Sequence, residues 1–196
     1  MRRFVVFGHE APTEPGIKLN DLPGSAGRLD VLARCVTAGL LHSHGIRETS
    51  EVVTILQNDV TIRFAGTAIR HLRPDERSTA ARFDAALEAA RDAIGHVEVE
   101  ASPGVTVSRH NQQEFLATLE TPIIQLHPDG TPIPEWTPTD ATFVLSDHMG
   151  FTEAEGTLLD EVADERLSVG PQAIHADQAI GVVHNYLDTA GYQVYD

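Results

Sequence analysis

The sequence predicts an α/β fold built on a mostly parallel sheet, and three observations carry that prediction. From Thr121 onward, apolar strand-like runs alternate with helix-forming stretches, the pattern of parallel strands joined by crossover helices. Three of those runs, ending at Leu126, Leu145 and Val169, pass directly into loops containing glycine or proline. In a parallel sheet these ends share one edge, where backbone groups and small apolar side chains can build a composite pocket. With 196 residues, 41% of them hydrophobic, the chain suits a single domain (residues 1–196) around one sizeable core.

The elements follow in order. Residues 2–7 (RRFVVF) predict a strand, and residues 8–18, with Pro12, Pro15 and Gly16, a loop. Pro23-Gly24 makes a turn and Ser25 offers an N-cap. The helix that follows has Leu29, Leu32, Ala33, Val36 and Leu40 on one face. Residues 51–57 and 60–65 predict a hairpin about Asn58-Asp59. Pro74 at the first position, followed by Asp75 and Glu76, opens a long helix with apolar face Ala80, Phe83, Leu87, Ala90 and Ile94, stopped by Gly95. Residues 97–109 hold two short strands about Ser102-Pro103-Gly104, and residues 112–119 a short helix. Residues 121–126 predict a buried strand stopped by His127-Pro128-Asp129-Gly130. Four prolines from Pro128 to Pro138 then enforce loop, with Trp136 as a packing anchor. Residues 141–145 are the next strand, and Thr152-x-x-Glu155 is a capping box that starts a helix through Val162.

The organising stretch is residues 166–186, RLSVGPQAIHADQAIGVVHNY. A short strand breaks at Gly170-Pro171, and a loop leads into a helix whose apolar face is Ala179, Val182, Val183 and Leu187. No G-x-G-x-x-G or G-x-x-x-x-G-K-[ST] is present, so a ligand held here is not expected to be gripped by a polyphosphate.

Charge is the unusual feature. Fourteen basic against 29 acidic residues give −15, and Lys18 is the one lysine. Taken alone, this argues against a nucleic-acid partner. An acid-rich, lysine-poor surface also resembles proteins of salt-loving organisms, where molar salt shortens screening to about 3 Å and remote acids no longer repel RNA. Against that background Arg70, Arg73, Arg77 and Arg82 form a locally basic cluster and are the candidates for phosphate contact. Arg28 and Asp30 fall at the start of a helix, where the acid suits the dipole and the arginine opposes it, which points to an anionic partner for Arg28. The single cysteine, Cys35, excludes an internal disulfide and reads as a buried apolar residue. Ten histidines, including His42-x-His44, give no sound metal-ligand spacing. No apolar run approaches 18 residues, so the expectation is a soluble cytoplasmic protein without membrane span, signal peptide or metal.

Four separated motifs then carry a resemblance over nearly the whole chain. They are LPGSAGRLDVLARCV (22–36), RPDERS (73–78), DHMG (147–150) and RLSVGPQAIHADQAIGVVHNYLD (166–188). In this order they resemble the archaeal tRNA pseudouridine N1-methyltransferases of the SPOUT class. The resemblance implies an α/β fold with a C-terminal trefoil knot, at about residues 122–190, a topology that general connection rules would have argued against. It also implies S-adenosylmethionine in the knot, held at Leu126, Gly150, Val169, Gly170, Pro171, Gln172, Ala173, Ile174 and Ala179. Other members carry cysteine at this last position, so a main-chain contact survives the change and a thiol role does not. The implied reaction methylates N1 of pseudouridine 54 in the tRNA T-loop. Asp30, Asp147 and His148 are the candidate proton acceptors, and Arg28 is the group for a phosphate or a developing negative oxygen. A homodimer is implied, with Arg28 approaching the partner's pocket. Two other readings stay open: a knotted methyltransferase acting on ribosomal pseudouridine, and a non-catalytic RNA-binding or assembly factor.

Overall fold

The structure, a computed structural model, describes residues 1–43 and 45–195. In chain order the elements are β1 (Arg2–Gly8), α1 (Leu22–Ser25), α2 (Leu29–Leu40), β2 (Leu41–His42), β3 (Gly45–Ile46), β4 (Ser50–Leu56), β5 (Val60–Ala65) and α3 (Glu76–Ala89). They continue with β6 (Val99–Ser102), β7 (Val105–Ser108), α4 (Gln112–Leu116), β8 (Ile123–Pro132), β9 (Thr142–Ser146), α5 (Glu153–Val162), β10 (Glu165–Ser168) and α6 (Ala176–Asp188).

One eight-stranded sheet runs β10-β8-β9-β1-β4-β5-β7-β6. Its first five strands are mutually parallel, and β5, β7 and β6 extend it antiparallel. The mostly parallel α/β architecture predicted from the alternation is therefore present. The central strands read as unbroken apolar runs because both faces are covered. Phe4, Val6, Val52 and Phe143 pack with α2, α3 and α6, while Val5, Phe7, Val53 and Val144 pack beneath Phe115 and Leu116 of α4 and Leu159 of α5. Trp136 anchors its proline-rich loop by meeting Phe143 edge-on and accepting the Tyr186 hydroxyl at its carbonyl.

Several boundaries differ from expectation, each for a local reason. Ser25 does not cap α2. It ends α1, which Asp21 caps by accepting from the Gly24 N–H. Gly27 and Arg28 then both take left-handed backbone (φ 51° and 58°), because Gly27 presses on the Glu10 carbonyl, where a Cβ would lie 1.8 Å from the oxygen. Pro74 lies outside α3, because the Asp75 carboxylate takes the cap by accepting from Ser78 N–H. That helix stops at Ala89 and tightens through i→i−3 bonds at Arg91, Asp92 and Ala93, which swings Ile94 out to 82% exposure instead of onto the apolar face. The helix at residue 112 closes at Leu116, not Leu119. On α6, Ile180, His184 and Tyr186 join Ala179 and Val183 in the interior, and Val182 and Leu187 are only half-buried. His184 fixes this rotation by contacting the Gly39 carbonyl of α2 at 3.0 Å.

The expected stop at His127 is a detour. β8 pairs with β10 at Gln125↔Arg166, leaves the ladder for residues 126–130, and resumes at Thr131↔Leu167. Gly130 makes the crossing possible: a Cβ there would lie 2.5 Å from the Leu167 carbonyl carbon.

Candidate cofactor cleft

A cleft of about 620 Å³ opens at the carboxyl edge of β8, β9 and β10, a size typical of small-ligand sites. Its walls are the β8 detour, the loop after β9 (residues 146–151) and the loop between β10 and α6, with Val31 of α2 closing one side. The three chain turns singled out from the sequence therefore converge. Leu126, Gly150, Val169, Gly170, Gln172, Ala173, Ile174 and Ala179 all line the cleft; Pro171 does not, and is exposed on the outer side of its loop.

Local chemistry explains the shape. The Ser168 hydroxyl donates to the Gly170 carbonyl at 2.7 Å, fixing the turn as β10 ends. Gly150 takes left-handed backbone (φ 77°), and an added Cβ at Gly150 or Gly170 would meet nothing within 4 Å. Leu126, Leu145, Ile174 and Ala179 supply apolar surface, and Ser146 lines the cleft with its hydroxyl buried and without a partner among the described residues. Among those residues, the main-chain N–H groups of Gln172, Ala173 and Ile174 also find no protein acceptor. Apolar walls with a few unspent polar groups suit a nucleoside-like ligand such as S-adenosylmethionine.

Asp147 lines the cleft but spends its oxygens inward, accepting from His9 main-chain N–H and Met149 N–H and pairing with His9 Nδ1. His148 beside it lies 3.8 Å from Asp147 and 3.8 Å from Glu10, and its Nδ1 has no partner among the described residues.

Asp30 sits next to the cleft and turns away from it. It accepts two bonds from Arg28 (3.0 and 3.1 Å) and one from Arg34 (2.9 Å), which also reaches Glu76 and Asp177. Burial opposes charge on Asp30, but the two guanidinium groups outweigh it and hold the carboxyl below its ordinary range. Such a carboxylate is a weak base and a firm holder of Arg28.

The four arginines chosen from the sequence lie outside the cleft, before and along the first half of α3. Among the described residues, every other arginine pairs with a carboxylate, whereas Arg70, Arg73, Arg77 and Arg82 do not. Arg82 donates to the Arg70 and His71 carbonyls and is half-buried; Arg70, Arg73 and Arg77 are exposed.

Sequence reasoning missed His9 entirely. Its one signal is position: it follows β1, whose carboxyl end shares the edge of β9. Among the described residues no group of three or more His, Cys, Asp or Glu side chains could hold a metal, and His44 of the His42-x-His44 pair lies outside them.

The fold and the cleft together define an α/β protein with a cleft of small-ligand size at the carboxyl edge of its parallel strands. The chain belongs to the family described as "Putative SAM-dependent RNA methyltransferase", which matches residues 1–192. It is 50% identical over 196 residues to a tRNA (pseudouridine(54)-N(1))-methyltransferase of Halobacterium salinarum, covering 100% of both chains. It is 52% identical over 201 residues to the protein of that name from Haloarcula marismortui, again covering 100% of both. In Methanocella arvoryzae, a protein of the same name is 43% identical over 189 residues, 94% of this chain and 97% of that one. In fold the chain is similar to Archaeoglobus fulgidus Nep1, crystallised with S-adenosylhomocysteine, with a TM-score of 0.66 at 12% identity over 98% of this chain and 99% of that chain.

Proposed function

We propose that this chain methylates N1 of pseudouridine 54 in tRNA, using S-adenosylmethionine. The carrying observation is identity of about half the residues, end to end, with relatives bearing that name. The cleft supports it, because its apolar walls and the main-chain amides that find no acceptor among the described residues fit the donor's nucleoside.

The donor supplies a methyl group on a positively charged sulfur. The protein's tasks are to align ring nitrogen and methyl, and to receive the N1 proton as the new bond forms. Leu126, Gly150, Val169, Gly170, Gln172, Ala173, Ile174 and Ala179 hold the donor, with Pro171 stiffening the loop from outside. Ala179, where other family members carry cysteine, contributes main chain and shape but no thiol. Arg28 meets the substrate's phosphate or its developing negative oxygen, and Asp30 holds Arg28 in place. Asp147 has its oxygens engaged by His9 and the Met149 main chain, so His148 beside it on the cleft wall takes the proton.

The wider reading has four parts. Residues 122–190 form the trefoil knot implied by the family, the β8 detour across β10 being part of it. The protein works as a homodimer, since Met149 (59% exposed) and Ile174 (41% exposed) leave apolar surface at the cleft mouth. It acts in the cytoplasm. Its acidic surface is suited to high salt, under which Arg70, Arg73 and Arg77 reach RNA phosphates. The deciding experiment incubates the protein with labelled S-adenosylmethionine and T-arm hairpins bearing uridine or pseudouridine at position 54. Nucleoside analysis should find a methyl on the pseudouridine hairpin alone; transfer only to a ribosomal fragment, or no transfer, would overturn the reading.

A further inference from the structure

We infer that His9 is a positioning residue for this reaction, a doubly protonated imidazole clamped between Asp147 and Glu155 that fixes one wall of the cleft. The inference rests on the cleft holding the methyl donor, as proposed above.

The geometry assigns the protons. His9 Nδ1 lies 2.8 Å from Asp147 Oδ1, and Nε2 lies 2.9 Å from Glu155 Oε2. The same carboxylates are already acceptors elsewhere. Asp147 takes His9 N–H (2.8 Å) and Met149 N–H (2.9 Å); Glu155 takes Thr152 N–H (2.8 Å) and the Gln112 amide (2.6 Å). A carboxylate surrounded by donors has no hydrogen to give, so both ring nitrogens must donate, and only the imidazolium can do that. Burial opposes that charge, but Glu155 and Asp147 outweigh it and raise the ring above its ordinary value. Burial likewise opposes charge on Glu155, yet Thr152, His9 and Gln112 hold it below the carboxylate range.

The clamp connects four elements: the end of β1, the loop after β9, the first turn of α5 and, through Gln112, α4. That loop is the cleft wall carrying Asp147, His148, Met149 and Gly150. The charged neighbourhood is otherwise sparse: His148 and, beyond it, Glu10 stand near Asp147 on one side, and Arg28 acts on it from the residue before α2. Losing the ring proton removes one of the two bonds and leaves two carboxylates short of their shared cation. Because the folded value is raised, the clamp is complete below the ordinary histidine range and is lost as pH rises through the raised value.

The test uses the full chain and S-adenosylhomocysteine. Nitrogen-15 NMR of the histidine rings at neutral pH should show His9 with both nitrogens protonated; a ring with one bare nitrogen overturns the inference. Calorimetry should give a wild-type affinity that falls roughly tenfold as pH rises through the His9 transition, the scale of one charge-assisted hydrogen bond. His9→Gln, which offers one donor, should bind about tenfold more weakly at low pH and show no such transition. Where His9→Gln does not fold, the NMR result on wild type decides. A wild type that binds no S-adenosylhomocysteine overturns both the proposed function and this inference. A wild type that binds with the affinity of His9→Gln at every pH overturns this inference alone.

Discussion

Replacing Gly130 with alanine probes the crossing on which the cleft depends. The new Cβ would sit 2.5 Å from the Leu167 carbonyl carbon and 2.8 Å from the Arg166 carbonyl carbon and oxygen. Ordinary carbon contacts are about 3.5–4 Å, so one backbone must retreat by about 1 Å from the other. Neither side is a flexible side chain that can swing aside. Overpacking in a fitted interior costs about 1–3 kcal/mol, and a backbone-to-backbone clash belongs at the upper end. At about 2–4 °C per kcal/mol for a chain of this size, the unfolding midpoint should drop by about 6–12 °C. Since Leu126, His127 and Pro128 lie on the displaced detour and line the cleft, affinity for S-adenosylhomocysteine should fall too. Gly170→Ala is the control: its Cβ meets nothing within 4 Å, so the midpoint should stay put while the methyl intrudes on the cleft. Thermal unfolding and calorimetry on both variants decide the matter, and a Gly130→Ala protein with wild-type midpoint and affinity would refute the crossing.

Three further outcomes are expected. Asp30→Ala should leave S-adenosylhomocysteine binding intact and slow pseudouridine methylation at least about tenfold, because Arg28 loses both bonds that hold it; unchanged turnover removes the pair from the mechanism. Burial, with help from Arg47, pushes His184 down to about 4, so its neutral form stabilises the fold above the ordinary value near 6.5 and that contribution is lost as pH falls toward 4. The loss is about 3 kcal/mol at most, visible as an acid-side slope in urea unfolding that flattens in His184→Gln. Arg73→Ala and Arg77→Ala should each weaken T-arm binding uniformly across sequences and reduce the slope of log affinity against log salt by about 1; a slope unchanged in both places the RNA elsewhere.

The sheet and cleft were legible from the sequence because they depend on local signals with long reach. Apolar runs stopped by Gly or Pro announce buried parallel strands, and parallel pairing alone brings their carboxyl ends together. That is why Leu126, Gly150 and Gly170 meet although they lie far apart in the chain. What was not legible depends on tertiary competition. Ser25 is a good cap in isolation, but the Gly27 contact with Glu10 breaks the helix after it. The α6 face turned because His184 found Gly39 and Arg2, a choice between hydrogen bonds that hydrophobic periodicity does not register. Likewise, nothing but its place after β1 marks His9, whose two partners lie 138 and 146 positions away.

The placement of charge explains how so acidic a chain can serve an RNA substrate. Around the cleft, the nearest acids are partly offset: Asp30 by Arg28 and Arg34, and Asp147 and Glu155 by the single cation of His9 between them. Many of the remaining acids are exposed, where added salt would screen them. The cations show the complementary pattern. Arginines that hold the fold together pair with carboxylates, and the exposed Arg70, Arg73 and Arg77, without a carboxylate partner among the described residues, gather just before and at the start of α3. An exposed ion pair is worth little in molar salt, but a guanidinium that meets a phosphate bidentately keeps its geometric advantage. Reading net charge alone would have excluded RNA; reading which charges remain unspent restores it.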